Sequence, residues 1–208
     1  MDDVKNIYCV GRNYVEHVKE LKNKIPDDPV IFSKPTHALT KADGSTIVLP
    51  SDKGNIHYEV ELVVHIAEKY SPEKTVDQMI DKMAVGLDLT LRDVQQKLKE
   101  EGYPWLLSKG FHNAAIITDF IPFPGEEKCA EENFSLSIND RVVQEGNISL
   151  MMFDLQTQLH YIGQNLGLDR GDIIFTGTPS GVGPLQHHDE LSLFWGNEQL
   201  GSCTISIG

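Results

Sequence analysis

The chain has 208 residues, with 18 Lys+Arg against 31 Asp+Glu and a formal net charge of −13. That length gives one large domain or two small ones, and 40% hydrophobic with 24% charged residues describes an ordinary globular chain with a core that needs no staple. The acidic balance excludes a nucleic-acid backbone or an anionic membrane surface as partner, because both demand clustered Lys/Arg.

In chain order, residues 5–10 read as a short strand, followed by Gly11 and a helical stretch from about Asn13 to Leu21. Residues 22–29, with two prolines and two aspartates, form a loop, and 30–33 is a short apolar run ending at Lys34-Pro35. A turn at Asp43-Gly44 precedes a strand over 46–49 that Pro50 stops. The clearest strand is 56–66, rich in β-branched and aromatic residues. Residues 75–83 carry helical periodicity through Val76, Met79, Ile80 and Met83, and 84–89 is another strand. Thr90 with Asp93 resembles a helix start, continued by an amphipathic helix over 91–101. Strands are expected at 114–117, 134–138 and 141–144, the last two joined by an Asn139-Asp140 hairpin turn. A helix over 153–165 ends at Gly167, and 172–176, 190–195 and 202–207 are strands.

No repeat, low-complexity tract or linker divides the chain. The expectation is one domain over 1–208, of the α+β class and β-rich, without the βαβ rhythm of a Rossmann or TIM arrangement. The first residues show no signal-peptide pattern, and no apolar stretch reaches the ~18 residues of a membrane span. Cys9, Cys129 and Cys203 have neither disulfide-framework nor zinc spacing, so a cytoplasmic, reduced protein is expected.

Glu59 and Glu61 lie one residue apart in the strongest strand pattern. Strand side chains alternate, so both carboxylates take one face while Val60, Leu62 and Val64 take the other. Two like charges about 7 Å apart repel unless solvent or a cation relieves them, so the pair reads as a solvated face or as two ligands of an ion. Asp88 sits in the apolar run Val85-Gly86-Leu87-Asp88-Leu89, where a buried acid needs partners or a metal. Its alternative role is to cap the helix that starts near Thr90. Three carboxylates without thiolate or imidazole favour a hard cation, Mg²⁺ or Mn²⁺.

Arg92 and Gln95 share the face of one helical turn, and Lys109 sits in a mostly apolar segment. All three are candidate anion contacts or ordinary helix polar groups. The strand running into Gly177-Thr178-Pro179-Ser180-Gly181 can aim backbone N–H groups and the Thr178 hydroxyl at an anion, but it lacks the lysine of a nucleotide-binding phosphate loop. His17 and Glu20, at i and i+3, suit either a carboxylate-oriented general base or a plain surface ion pair.

Together these pieces resemble the fumarylacetoacetate hydrolase family, particularly its short single-domain members of the acylpyruvase and oxaloacetate decarboxylase kind. The resemblance rests on Cys9-Val10-Gly11-Arg12-Asn13-Tyr14 with His17 and Glu20, on Phe32-Ser33-Lys34-Pro35, and on His57-Tyr58-Glu59-Val60-Glu61-Leu62. It continues through Asp88-Leu89-Thr90-Leu91-Arg92-Asp93-Val94-Gln95, Trp105-Leu106-Leu107-Ser108-Lys109 and the stretch from Gly171 to Gly183. Six motifs in family order cover nearly the whole chain.

The resemblance implies mixed β-sheets rolled around the site, and a homodimer. It implies Mg²⁺ or Mn²⁺ held by Glu59, Glu61 and Asp88, with substrate contacts from Arg92, Gln95, Gly177 and Thr178. His17, Glu20 and Lys109 would be catalytic, the first two on a lid over residues of about 11–29. The implied activity is cleavage of a C–C bond in a small 2-oxo acid through a metal-stabilised enolate, as acylpyruvate hydrolysis or oxaloacetate decarboxylation. The in-class alternative is an isomerase or decarboxylase acting on a hydroxy-heptadiene-dioate. From another class, the chain could be a metal-binding protein that keeps the fold without catalysis; the His17-Glu20 pair speaks against it, because mere binding needs no proton shuttle.

Overall fold

Strands dominate the computed structural model, which describes residues 3–208. β1 (Ile7–Gly11) leads into α1 (Val15–Glu20), and β2 (Val30–Lys34), β3 (Leu39–Lys41) and β4 (Asp43–Leu49) follow. The middle of the chain holds β5 (Ile56–Tyr58), β6 (Val60–Ile66), α2 (Val76–Met79), β7 (Ile80–Asp88), β8 (Thr90–Leu91), α3 (Arg92–Glu101) and α4 (Leu106–Lys109). Next come β9 (Ala115–Ile117), β10 (Ile121–Pro122), α5 (Glu126–Cys129), β11 (Phe134–Ile138), β12 (Arg141–Gly146) and α6 (Leu155–Asn165). The chain closes with β13 (Ile173–Phe175), β14 (Gly183–Pro184), β15 (Glu190–Trp195) and β16 (Glu198–Ile207).

An eight-stranded sheet has the order β2-β1-β13-β6-β7-β9-β3, with β10 added on β7. A five-stranded sheet runs β12-β11-β15-β16-β4, and β14-β5-β8 make a third. Parallel pairs (β1 with β13, β3 with β9) sit among antiparallel ones, so the large sheet is mixed and the fold is β-rich α+β, as expected. The five-stranded sheet lays β11, β12 and β15 across β6 and β7, and Leu62, Met83, Phe134, Leu136 and Leu193 fill the core between them. Among the described residues no helix is long and apolar enough to cross a membrane.

Several elements depart from the sequence expectation for identifiable reasons. The strand over 56–66 is broken at Glu59 into β5 and β6. β6 lies between β13 and β7, and each residue from Val60 to Val64 is buried. A central strand covered on both faces offers no solvated side, which removes the solvated reading of the two glutamates. The helix over 75–83 starts with a Thr75–Gln78 capping box but stops at Met79. From Ile80 the chain joins β7, paired with β6 on one edge and with β9 and β10 on the other. Ladder bonds on both edges outweigh local helix preference. At Asp43-Gly44 there is no free turn: β4 already begins there, and Gly44 takes φ +88° where the pairing with β16 slips register. The Asn139-Asp140 hairpin turn is present, with φ of 50° and 63°.

Three strands change sheet at one level. The chain passes from β5 in the small sheet to β6 in the large one at Glu59, from β7 to β8 at Leu89, and from β13 to β14 through residues 176–182. Where a ladder is interrupted its polar groups need other partners. Asp88 N–H donates to the Glu59 carbonyl at 2.8 Å, Leu89 N–H to the Ala114 carbonyl at 2.9 Å, and the Thr176 hydroxyl to the Leu62 carbonyl at 2.8 Å. The buried Gln144 side chain stitches the same seam, accepting from Val60 N–H at 2.9 Å and donating to Thr178 Oγ1 and the Pro179 carbonyl, each at 3.0 Å. Just below it, Gly86 leaves room for the fully buried Phe175, whose ring would lie 2.9 Å from a Cβ at position 86.

Candidate active site at the sheet seam

The seam gathers the acids. Glu59 sits at the first crossing, Glu61 two residues into β6, and Asp88 at the end of β7. Each offers a carboxylate oxygen within 4.8 Å of the other two, and their exposures are 4%, 2% and 1%. Burying three carboxylates is costly without compensating charge. Lys109 supplies some of it, donating to Glu59 Oε2 at 2.7 Å and Asp88 Oδ2 at 2.6 Å. Arg92 donates to Glu59 Oε1 and, at 2.8 Å, to Gln95 Oε1. Lys34 is buried behind the site and bonds the carbonyls of Leu89, Lys109 and Ala114. Its ammonium also lies 2.7 Å from Asp88 Oδ1, though off the direction of a hydrogen bond, so that oxygen remains an orphaned acceptor. Asp88 does not cap α3: the residue at that cap is Leu91, and no side chain bonds there.

The compensation is uneven. Burial works to raise the pKa of Glu59, but Lys109, Arg92 and His17 outweigh it and hold the acid well below the usual carboxylate range. Burial works to lower Lys109, and Asp88 and Glu59 reverse that, so it keeps its ammonium charge. Among the described residues Glu61 receives only the Gly177 N–H, at 2.7 Å; burial, then Asp88 and Glu59, push its pKa well up. One buried acid without its own cation, an orphaned oxygen on a second, and an all-oxygen donor set fit a hard divalent ion. Glu59, Glu61 and Asp88 are the residues that could hold it.

The same acids floor a pocket of about 30 Å³ whose walls include His17, Phe32, Arg92, Gln95, Trp105, Lys109 and Thr178. Of the residues singled out in the sequence, Glu20 and Gly177 stand outside that lining. Gly177 has φ +109° and packs so tightly on Asn13 that a Cβ would lie 2.6 Å from the Asn13 Cβ. Its N–H is committed to Glu61 and does not point to the pocket. Glu20 accepts from the Gly181 N–H at 3.1 and 3.2 Å, tying the end of α1 to the third crossing. His17 Nδ1 stands 3.5 Å from Glu20 Oε2, too long and poorly aligned for a good hydrogen bond. Burial lowers the His17 pKa, against the pull of Glu59 and Glu20, which favours a neutral imidazole able to accept a proton.

Other site residues carried little signal in the sequence. Asn13, fully buried, donates to the Thr176 carbonyl at 2.8 Å and the Phe153 carbonyl at 3.0 Å, and accepts from Phe153 N–H at 2.8 Å, fixing the start of α1 beside the seam. Arg12 holds φ +59°, a left-handed conformation costing an L side chain about 1–2 kcal/mol, and its guanidinium lies 5.8 Å from the Trp105 ring centroid. Lys99 reaches the pocket from α3 and donates to Asn23 Oδ1 at 2.8 Å. Lys34 stood in the Phe32-Ser33-Lys34-Pro35 motif of the resemblance but with no role attached to it, and Gln144 had no signal.

Fold and site together describe a β-rich enzyme domain organised around a buried carboxylate triad with a histidine beside it. The chain matches the family model of the fumarylacetoacetate (FAA) hydrolase C-terminal domain over residues 6–207, and it belongs to that family. It is 39% identical over 202 residues to oxaloacetate tautomerase of Escherichia coli strain K12, covering 95% of this chain and 91% of that one. The mitochondrial oxaloacetate decarboxylase of Dictyostelium discoideum is 36% identical over 184 residues, covering 88% and 84%. Among solved structures, the fumarylpyruvate hydrolase of Pseudomonas aeruginosa in complex with Mn²⁺ and pyruvate superposes with a TM-score of 0.88 at 29% identity, covering 99% of this chain and 91% of that one.

Proposed function

We propose that this chain is a divalent-metal-dependent enzyme that enolises a small 2-oxo dicarboxylic acid, oxaloacetate, interconverting its keto and enol forms. The observation that carries the reading is the placement of a buried imidazole, His17, on the wall of a pocket floored by three carboxylates suited to a hard cation. A Mg²⁺ or Mn²⁺ ion on Glu59, Glu61 and Asp88 would draw electron density from the 2-oxo group. His17 then takes the proton from C3 in one direction and returns it in the other, with Glu20 nearby to favour the imidazolium. Lys109 has three donors and gives two to Glu59 and Asp88, which leaves one for an oxygen that gains negative charge. Arg92, Gln95 and Thr178 hold the substrate's first carboxylate. Residues of about 11–29 act as a lid, latched by Glu20 to Gly181.

The name of the Escherichia coli relative supports the tautomerase form of this reading. The Dictyostelium relative supports a second form, decarboxylation, in which the C3–C4 bond breaks, CO₂ leaves and His17 protonates C3. Deuterium exchange at C3 of oxaloacetate, followed by NMR against the buffer rate, tests the shared step. The Mg²⁺-loaded protein accelerates exchange, chelation abolishes the acceleration, and His17→Ala reduces it by about 10²-fold, the usual scale for a general base. Acceleration that survives both chelation and His17→Ala would overturn the proposal.

A further inference from the structure

The pocket is electrostatically two-ended. Its acids are buried, while Arg12 and Lys99, which also line it, are only partly buried and so reach toward solvent. The other cations on the walls, Arg92 and Lys109, are already paired with the acids, Arg92 with Glu59 and Lys109 with Glu59 and Asp88. Arg12 makes its described contact with the face of Trp105, and Lys99 gives one of its three donors to Asn23. Among the described residues no carboxylate pairs with either. Burial, then the like charges of Arg12 and Arg92, lower the Lys99 pKa. Arg12 reaches this position only through a left-handed backbone that glycine or asparagine would adopt with less strain. Two unneutralised cations lining a pocket, in a chain of net charge −13, call for an anion that the rest of the surface repels.

We propose that Arg12 and Lys99 form a second anion subsite, which receives the distal carboxylate of a 2-oxo dicarboxylic acid whose other end lies over the carboxylate triad. The assignment rests on the enolisation reading for the orientation of the substrate, and it sets specificity: dicarboxylates are selected over 2-oxo acids with an uncharged tail. The Arg12 fork matches a carboxylate in two-point geometry, and Lys99 adds a point charge.

Titration calorimetry of the Mg²⁺-loaded full chain with oxaloacetate and with 2-oxobutyrate, which lacks the second carboxylate, reads the subsite as an affinity and not as a rate. Wild type prefers oxaloacetate by about tenfold or more, the scale of a charge-assisted hydrogen bond. Arg12→Gln and Lys99→Met each shrink that preference several-fold, and Arg12→Lys restores part of what Arg12→Gln loses. A preference unchanged in both neutral variants, or absent from the wild type, would overturn the subsite. C3 exchange measured in parallel separates the two claims: a wild type that binds selectively but exchanges no proton refutes enolisation and upholds the subsite.

Discussion

Lys34 and Glu61 answer the same buried-charge problem in opposite ways. Lys34 is 3% exposed and holds three carbonyls together behind Asp88, so removing its ammonium orphans all of them at once. Lys34→Met is expected to destabilise the protein by about 3–5 kcal/mol, the cost of breaking one side of a buried charge pair, read as a lower urea midpoint. Glu61 is a buried carboxylate whose one hydrogen-bond donor among the described residues is a backbone N–H. Glu61→Gln keeps an acceptor for Gly177 and removes an uncompensated charge. The metal-free midpoint of that variant therefore holds or rises, while calorimetric Mg²⁺ affinity falls more than about tenfold, the scale on which even supporting groups of a metal site act. The acids were legible in the sequence because strand alternation and an apolar setting each restrict what a carboxylate can do. The role of Lys34 was not, although the residue stands in one of the family motifs, because its partners at Leu89, Lys109 and Ala114 are brought to it only by the folded chain.

At the scale of elements, local patterns located most strands and both longer helices, and failed where pairing or sheet-switching decides. The apolar spacing that suggested one helix over 75–83 serves two elements, because Ile80 and Met83 are drawn into β7 by its neighbours. The break between β5 and β6 has no residue signature; Glu59 marks a change of partner strand, and partners are not written locally. β7 is also closely packed at Gly86. A Cβ at Gly86 would come within 2.8 Å of Val63 Cγ2, 2.9 Å of the Phe175 ring and 3.0 Å of the Ile116 carbonyl. Gly86→Ala is expected to cost about 1–3 kcal/mol by overpacking, measured by thermal or urea unfolding. Adding Phe175→Leu recovers part of that loss, because the ring is one of the groups the new methyl meets.

For the whole molecule, the organising feature is the level at which the chain crosses three times between the eight-stranded sheet and the small one. No contiguous fragment contains the site: the acids come from two crossings, the Gly177 clamp from a third, and the balancing cations from β2, α3 and α4. Pairings so distant in sequence close late in folding. Stopped-flow measurements should therefore find a refolding rate that Mg²⁺ leaves unchanged and an unfolding rate that it slows, since an ion that binds only the finished site stabilises the native state alone. A slip of one residue at any crossing turns its side chains to the opposite face and leaves the ligand set incomplete. Affinity for the ion thus becomes a checksum on strand register: of all the compact arrangements this chain can form, the one that closes the triad is the one the ion rewards.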